Sequence, residues 1–489
     1  MSLHAQSLLM VVVSLGLLAS GVRAEPKMAS QVTQHGITWT FDREYPVGQF
    51  VNGDWWVVGP VTVVNVDPAP GMAPEDEVTE LARDQWGNTG LQDDPRMRNG
   101  SMVVERSVNR QAYDSRGRNF DPDVAVSFPY ELGVNRSLIS SISHRTMPNR
   151  HLHHELMWAS EQMTYSALRA AAVLTSLPEA PPADAFRPPY AGTEKPIFRA
   201  SDLHWDRLLE LEAPDDVPNW ATVERYLERP WLDHMNGSWV QAIVVPTENQ
   251  PGYSREHGRI ISLASLMVHL DVPRQQKETL LIRLVQNGID IRGIAEVGGN
   301  WNQGGGITNG RKWPPTFAGL MLDEPWFSDM PETAIFHEDA QTYYGQGWHG
   351  QTALWQMVIH HGHREPYEHK HPDQWERWDR VSESYRLCCN AQAWVGYGLA
   401  AQLMGAKRLW DHDAFFDYLD RWMREDDPYA EQRGGRPRPS QETETYDPFV
   451  TQMWRLHRQA VPEQPHGEQQ RKWSWRDGGQ WIDVSRPEQ

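Results

Sequence analysis

The side chains best suited to chemistry are concentrated in a few stretches of the chain. The most unusual is Gly298-Gly299-Asn300-Trp301-Asn302-Gln303-Gly304-Gly305-Gly306-Ile307-Thr308-Asn309-Gly310-Arg311-Lys312-Trp313. Its six glycines permit positive φ and close backbone approach, at an entropic cost that folding must offset. Asn300, Trp301, Asn309, Arg311, Lys312 and Trp313 add amides, indole faces and adjacent cations, which suit a hydroxylated, acidic ring. The Gly-x4-Gly-Lys-Ser/Thr spacing of a phosphate loop is absent. A plain connecting loop is the alternative.

A second set runs from Thr222 to His234 and includes Tyr226 and Asp233, with Glu256 and His257 following at an expected helix start. Charged groups at helix ends are usually caps or solvated salt links, so this set needs spatial support. The third is Phe336–Tyr344, with Glu338, Asp339 and Tyr343. Sugar chemistry needs paired carboxylates for hydrolysis, or a Tyr or His base with a charge-neutralising Asn, Arg or Gln for β-elimination. This segment can supply either. Two histidine clusters, His151–Glu155 and His360–His371, lack the His-Glu-x-x-His spacing, so neither a metal nor another cofactor is assigned.

These residues must be positioned by an exported chain. Leu8–Leu18 has the length of a signal h-region, and Val22-Arg23-Ala24 is a small-x-small cleavage pattern, so a leader is expected over 1–24. No later apolar run approaches the ~18 residues a membrane span needs. Its loss leaves about 465 residues, enough for two or three cores. The formal charge of −19 argues against nucleic acid as a partner. The 23 tryptophans suit either ring stacking on sugars or a Trp-rich core. Cys388 and Cys389 are adjacent, and helical geometry disfavours their closure, so two buried thiols are expected.

The fold class expected is α+β and multidomain. Ile37–Phe41 alternates with period two, Trp55–Val66 reads as two short strands around Gly59-Pro60, and Asp123–Pro129, Ser137–Ser143 and Ala170–Thr175 read as further strands; their spacing by turn residues predicts an antiparallel β-sandwich over 25–198. Pro-rich segments at 180–190 mark a linker. Helical periods begin at Asp202–Leu209 and recur at Arg259–Leu270, from Pro273, from Pro314, at Asn390–Met404 and at Asp413–Met423. They predict an α/α domain over 199–425, short for a complete toroid and therefore a partial one. Residues 426–489 form a polar extension, with a last helix over Tyr446–Gln459 and a partly disordered end.

Several stretches resemble a group of secreted bacterial proteins without assigned activity. They are Gly36–Phe41, Gly48–Gly59, Phe186–Tyr190, Asn309–Pro314 and Asn390–Gly396. The resemblance covers most of the mature chain and brings no catalytic residues with it. More distantly, the architecture is similar to α/α-toroid polysaccharide lyases of the alginate-lyase and heparinase type. Those proteins pair a helical toroid with β-sandwich domains, though here the β region comes first, and their Asn–His pairing has no recognisable counterpart in the spacing. The combined expectation is a secreted protein that cleaves polysaccharide. Arg311 or Lys312 would face a uronate with Tyr343 or His257 as base, or two of Asp233, Glu256, Glu338 and Asp339 would hydrolyse. The alternative is a non-catalytic glycan-binding protein.

Overall fold

A computed structural model describes residues 26–75, 91–106, 108–145, 166–235, 244–251, 254–302, 306–357, 366–424, 445–462, 473–476 and 480–483. The expected leader, the His151–Glu155 cluster, His360–His363 and most of the C-terminal extension lie outside them. Among the described residues the chain contains both helices and strands, and no helix is long and apolar enough to cross a membrane.

The first part builds one eight-stranded sheet from β1 (Lys27–Gln34), β2 (Ile37–Gln49), β3 (Trp55–Val58), β4 (Val61–Asp67), β5 (Ser101–Val103), β6 (Tyr130–Leu132), β7 (Arg136–Ser143) and β8 (Leu168–Leu177). The order is β5-β7-β8-β3-β2-β4-β6, with β1 also on β2. The pairing is antiparallel except between β3 and β8, which run parallel, so the sheet is mixed where an antiparallel one is expected. In β2 the alternation places Ile37, Trp39 and Phe41 inside. The sheet curls, because Trp39 on β2 donates its indole N–H to Ser140 on β7 at 2.9 Å although two strands separate them. Asp123–Pro129 does not form a strand. The Asp121 carboxylate caps a 3-10 turn at Pro122–Val124, which draws the backbone out of the sheet.

β7 and β8 are buried on both faces, because a different core covers each. Leu138, Ile142, Ala170 and Leu174 face the inside of the curl. Ile139, Leu168, Ala171 and Val173 pack instead against Ile291, Ile294, Trp301 and Phe336 of the helical region. The two regions therefore share a core.

The second part contains α1 (Trp220–Tyr226), α2 (Ser254–Met267), α3 (Arg274–Glu296), α4 (Trp313–Leu322), α5 (His337–Gln341), α6 (Arg377–Tyr385), α7 (Ala391–Leu403), α8 (Lys407–Trp410), α9 (Asp413–Arg424) and α10 (Pro448–His457). A small hairpin joins β9 (Thr342–Tyr344) to β10 (Ala353–Trp355). Asp202–Leu209 is not a helix but two 3-10 turns. Its backbone donors are used elsewhere: His204 N–H bonds to Met321 O and Leu209 N–H to His269 Nδ1. Glycines let the main helices touch, with Gly288 of α3 against the Pro314 carbonyl and Gly396 of α7 against Ser262 of α2. Between α6 and α7, residues Arg386–Asn390 form a π-helical turn, and within it Cys388 and Cys389 are joined as a disulfide. The expected pair of thiols is thus replaced by a bond, because this segment departs from the α geometry that would oppose it.

Candidate functional site

Residues 303–305 of the Gly-rich segment lie outside the described residues, and from Gly306 on the segment enters the interior instead of lying over it. Gly310 has φ +77° and crosses α2 at Gly258, where an added Cβ would lie 2.9 Å from the Gly258 Cα. Gly306, at φ +80°, sits on the Cys389 carbonyl in the same way. Only glycine allows both the left-handed backbone and the close crossing.

From this crossing the loop side chains spread into the core. Asn309 donates to the Cys389 carbonyl at 2.8 Å and accepts from the Trp394 indole at 2.9 Å. Arg311 is fully buried and forks onto Asp233 at 2.9 and 3.2 Å. It also donates to His257 Nδ1, while His257 Nε2 donates to the Pro251 carbonyl at 2.8 Å. That arrangement fixes the imidazole with its proton on Nε2. Trp231 stacks on His257 at 4.7 Å and gives its indole N–H to the Tyr226 carbonyl. Asp233, His257 and Arg311 thus form one enclosed polar set with Tyr226 behind it. As a base, His257 would first have to release Arg311.

Glu256 points the other way along α2. Arg255 and Arg259 clasp it at 2.6 and 2.5 Å, and Arg259 also holds Asp447. Lys312 pairs with Asp339 and with the Trp410 carbonyl, and the Trp410 indole donates to Asp339 at 3.0 Å. Lys312, Asp339 and Trp410 line one wall of a 310 Å³ cleft that Asp323, Phe327 and Leu409 help to close. Trp313 gives its N–H to Ser265 and packs in the core. Trp301 lies flat on Phe336 at 5.4 Å, and the half-buried Asn300 donates to the Thr333 carbonyl. Neither stands in the cleft lining. Tyr343 is buried on β9 opposite Leu354, where its charged neighbours are Glu368 and Arg421, so it does not join the loop set. Burial pushes its phenol well above the ordinary range.

Glu338 is the carboxylate the loop engages directly. Its Oε1 accepts from the Gly310 amide at 2.8 Å and from the Tyr397 hydroxyl at 2.7 Å. Its Oε2 is buried with no hydrogen-bond partner among the described residues. Burial raises this carboxyl above the ordinary range, against the lowering effect of those two hydrogen bonds. Such an environment favours a protonated acid.

Beside Glu338 stands a cluster that spacing did not reveal. His337 Nε2 lies 2.6 Å from Asn390 Oδ1, and the Gln341 amide donates to the same oxygen at 2.9 Å. The Asn390 amide is oriented by donating to the Tyr385 carbonyl at 2.8 Å. His337 and Gln341, four apart in α5, share a helix face, which the sequence could have signalled. Asn390 belongs to the π turn 53 residues on, and no local pattern links it to them. Tyr397 was missed for the same reason.

Among the described residues no group of three or more His, Cys, Asp or Glu side chains is arranged to hold a metal ion. What the arrangement brings together is two side-chain amides, an imidazole and a buried carboxyl that burial shifts toward its protonated form. Comparison with protein-family models, curated proteins and solved structures finds no match.

Proposed function

We propose that this is an exported protein that cleaves polysaccharide by β-elimination at a uronate sugar. Asn390 and Gln341 would turn their N–H groups from the Tyr385 carbonyl and Asn390 Oδ1 to the sugar carboxyl, and His337, once its Nε2 has released Asn390 Oδ1, would take the proton α to it. The electron pair forms the new carbon–carbon double bond as the glycosidic C–O bond breaks, and Glu338 supplies the proton to the leaving oxygen. The observation that carries this reading is the His337–Asn390–Gln341 cluster beside a buried carboxyl, one oxygen of which has no partner among the described residues. Hydrolysis is less favoured, because Asp233, Glu256 and Asp339 are each clasped by a cation and are poor members of a facing carboxylate pair. A cleft runs along Lys312 and Asp339, the residue after Glu338; His337, Glu338, Gln341 and Asn390 are buried behind its lining, so a sugar approaching there would have to displace that wall to reach them. The finer architecture, a β-sandwich followed by a partial α/α toroid, belongs to the same reading and draws support from the curled sheet and the close α2/α7 and α3/α4 pairs.

Incubation with acidic and neutral glycans tests it. Elimination gives unsaturated products that absorb in the ultraviolet, and His337→Ala or Glu338→Gln abolishes them while the fold persists. New reducing ends without that absorbance would favour hydrolysis. Retention of glycan without turnover would favour the non-catalytic binding protein, a reading supported by how many groups here are committed to one another. The leader is checked by the N-terminus of the exported protein, expected at Glu25.

A further inference from the structure

The Cys388–Cys389 disulfide lies where the candidate site is held together. The Cys389 carbonyl accepts from Asn309 at 2.8 Å, and Gly306 rests against the same peptide group. The Cys388 carbonyl accepts from Arg255, at 3.3 Å, and from the Tyr446 hydroxyl. Asn390, the next residue, is the amide that meets His337. Its backbone, at φ −118° and ψ −87°, lies outside helical values although α7 begins at the following residue. One dipeptide therefore anchors the Gly-rich loop, the Arg255–Glu256 ion network and the Asn–His contact.

We propose that this disulfide is a redox-sensitive latch on the site: closed, it holds the π turn that fixes Asn390 and the loop, and reduction by a dithiol releases both. The Cys388 side is half-buried while Cys389 is almost fully enclosed, so attack begins at the Cys388 sulfur. The attacking thiolate forms a mixed disulfide with Cys388 and expels the Cys389 thiolate, which takes up a proton. The second thiol of the reductant then displaces Cys388 as a thiol and leaves as a cyclic disulfide. Without the bond, the turn between α6 and α7 can relax toward ordinary helical geometry, which withdraws both carbonyls and turns Asn390 away from His337.

The test needs no glycan and so stands apart from the proposed activity. The full chain, purified without reductant and then denatured, should show no free thiol. After dithiothreitol it should show two, and amide hydrogen exchange in 306–312 and 386–394 should accelerate about tenfold while β7 and β8 stay protected. A Cys388→Ser/Cys389→Ser double variant should exchange fast in the same segments and ignore the reductant. Two free thiols in the unreduced protein, or unchanged exchange after complete reduction, would overturn the proposal. Loss of protection throughout would also overturn it, since the bond would then be a general staple.

Discussion

Arg311 shows how a residue chosen for its chemistry can turn out to be a keystone. An adjacent Arg-Lys pair in a glycine loop suits a ligand carboxylate, yet the guanidinium is spent on Asp233, His257 and the Asn309 carbonyl. Arg311→Met would leave Asp233 buried without its cation, and a loss of about 3–5 kcal/mol in urea denaturation is expected. Arg311→Lys should not restore it, since a single ammonium cannot reproduce the fork. Glu338 behaves oppositely. Its folded carboxyl sits above the ordinary range, so between the unfolded and folded values the folded chain binds more protons. The stability this group lends is complete below the ordinary carboxyl range and declines as pH rises through the folded value. Glu338→Gln removes that decline, so denaturation at several pH values should show the variant gaining on the parent as pH rises. Asp290 and Asp447, shifted in the same direction, are common to both proteins and drop out of the difference. Residue types alone made Asp233, His257 and Arg311 candidates. That they touch, and that His337 meets Asn390, was not legible, because no local pattern spans such separations.

At the scale of elements, contact outweighs propensity wherever helices cross. Replacing a mid-helix glycine by alanine ordinarily adds about 0.5–1 kcal/mol. At Gly288 the new Cβ would lie 2.3 Å from the Pro314 carbonyl oxygen and 2.9 Å from the Ala318 Cβ. Gly288→Ala should therefore cost about 1–3 kcal/mol net, because α4 must move off α3. A higher melting temperature in that variant would refute this. The same competition explains the missed elements. Apolar spacing at Asp202–Leu209 reads as helix, but Met321 and His269 claim the backbone donors and leave only 3-10 turns. The tryptophans show it too. Trp39, Trp231, Trp301, Trp313, Trp394 and Trp410 are enclosed in the cores, so much of the indole content serves packing.

Across the whole molecule, the sheet and the helices are fastened by one buried cation. Arg187, in the Pro-rich linker, bonds to Asp54 between β2 and β3 at 2.5 Å and forks onto Asp290 of α3 at 2.8 and 2.5 Å. Arg187→Met leaves two carboxylates enclosed together and should destabilise by about 3–5 kcal/mol. Because β7 and β8 share a core with α3, exchange protection should fall in both regions together; loss in one alone would show that they fold separately. By itself the sequence determined what depends on neighbours along the chain. Alternation placed β2, short runs bounded by turn residues placed the β3/β4 pair, β7 and β8, the 3.6-residue period placed α2, α3, α4 and α9, and Ala/Gly content placed α7, since all of these are local properties of the chain. Only the tertiary structure decided that β3 runs parallel to β8, that the cysteines close within a π turn, and that His337, Glu338 and Asn390 gather under a glycine loop. Those outcomes are set by contacts between distant segments, whose free energy exists only once the segments are packed together.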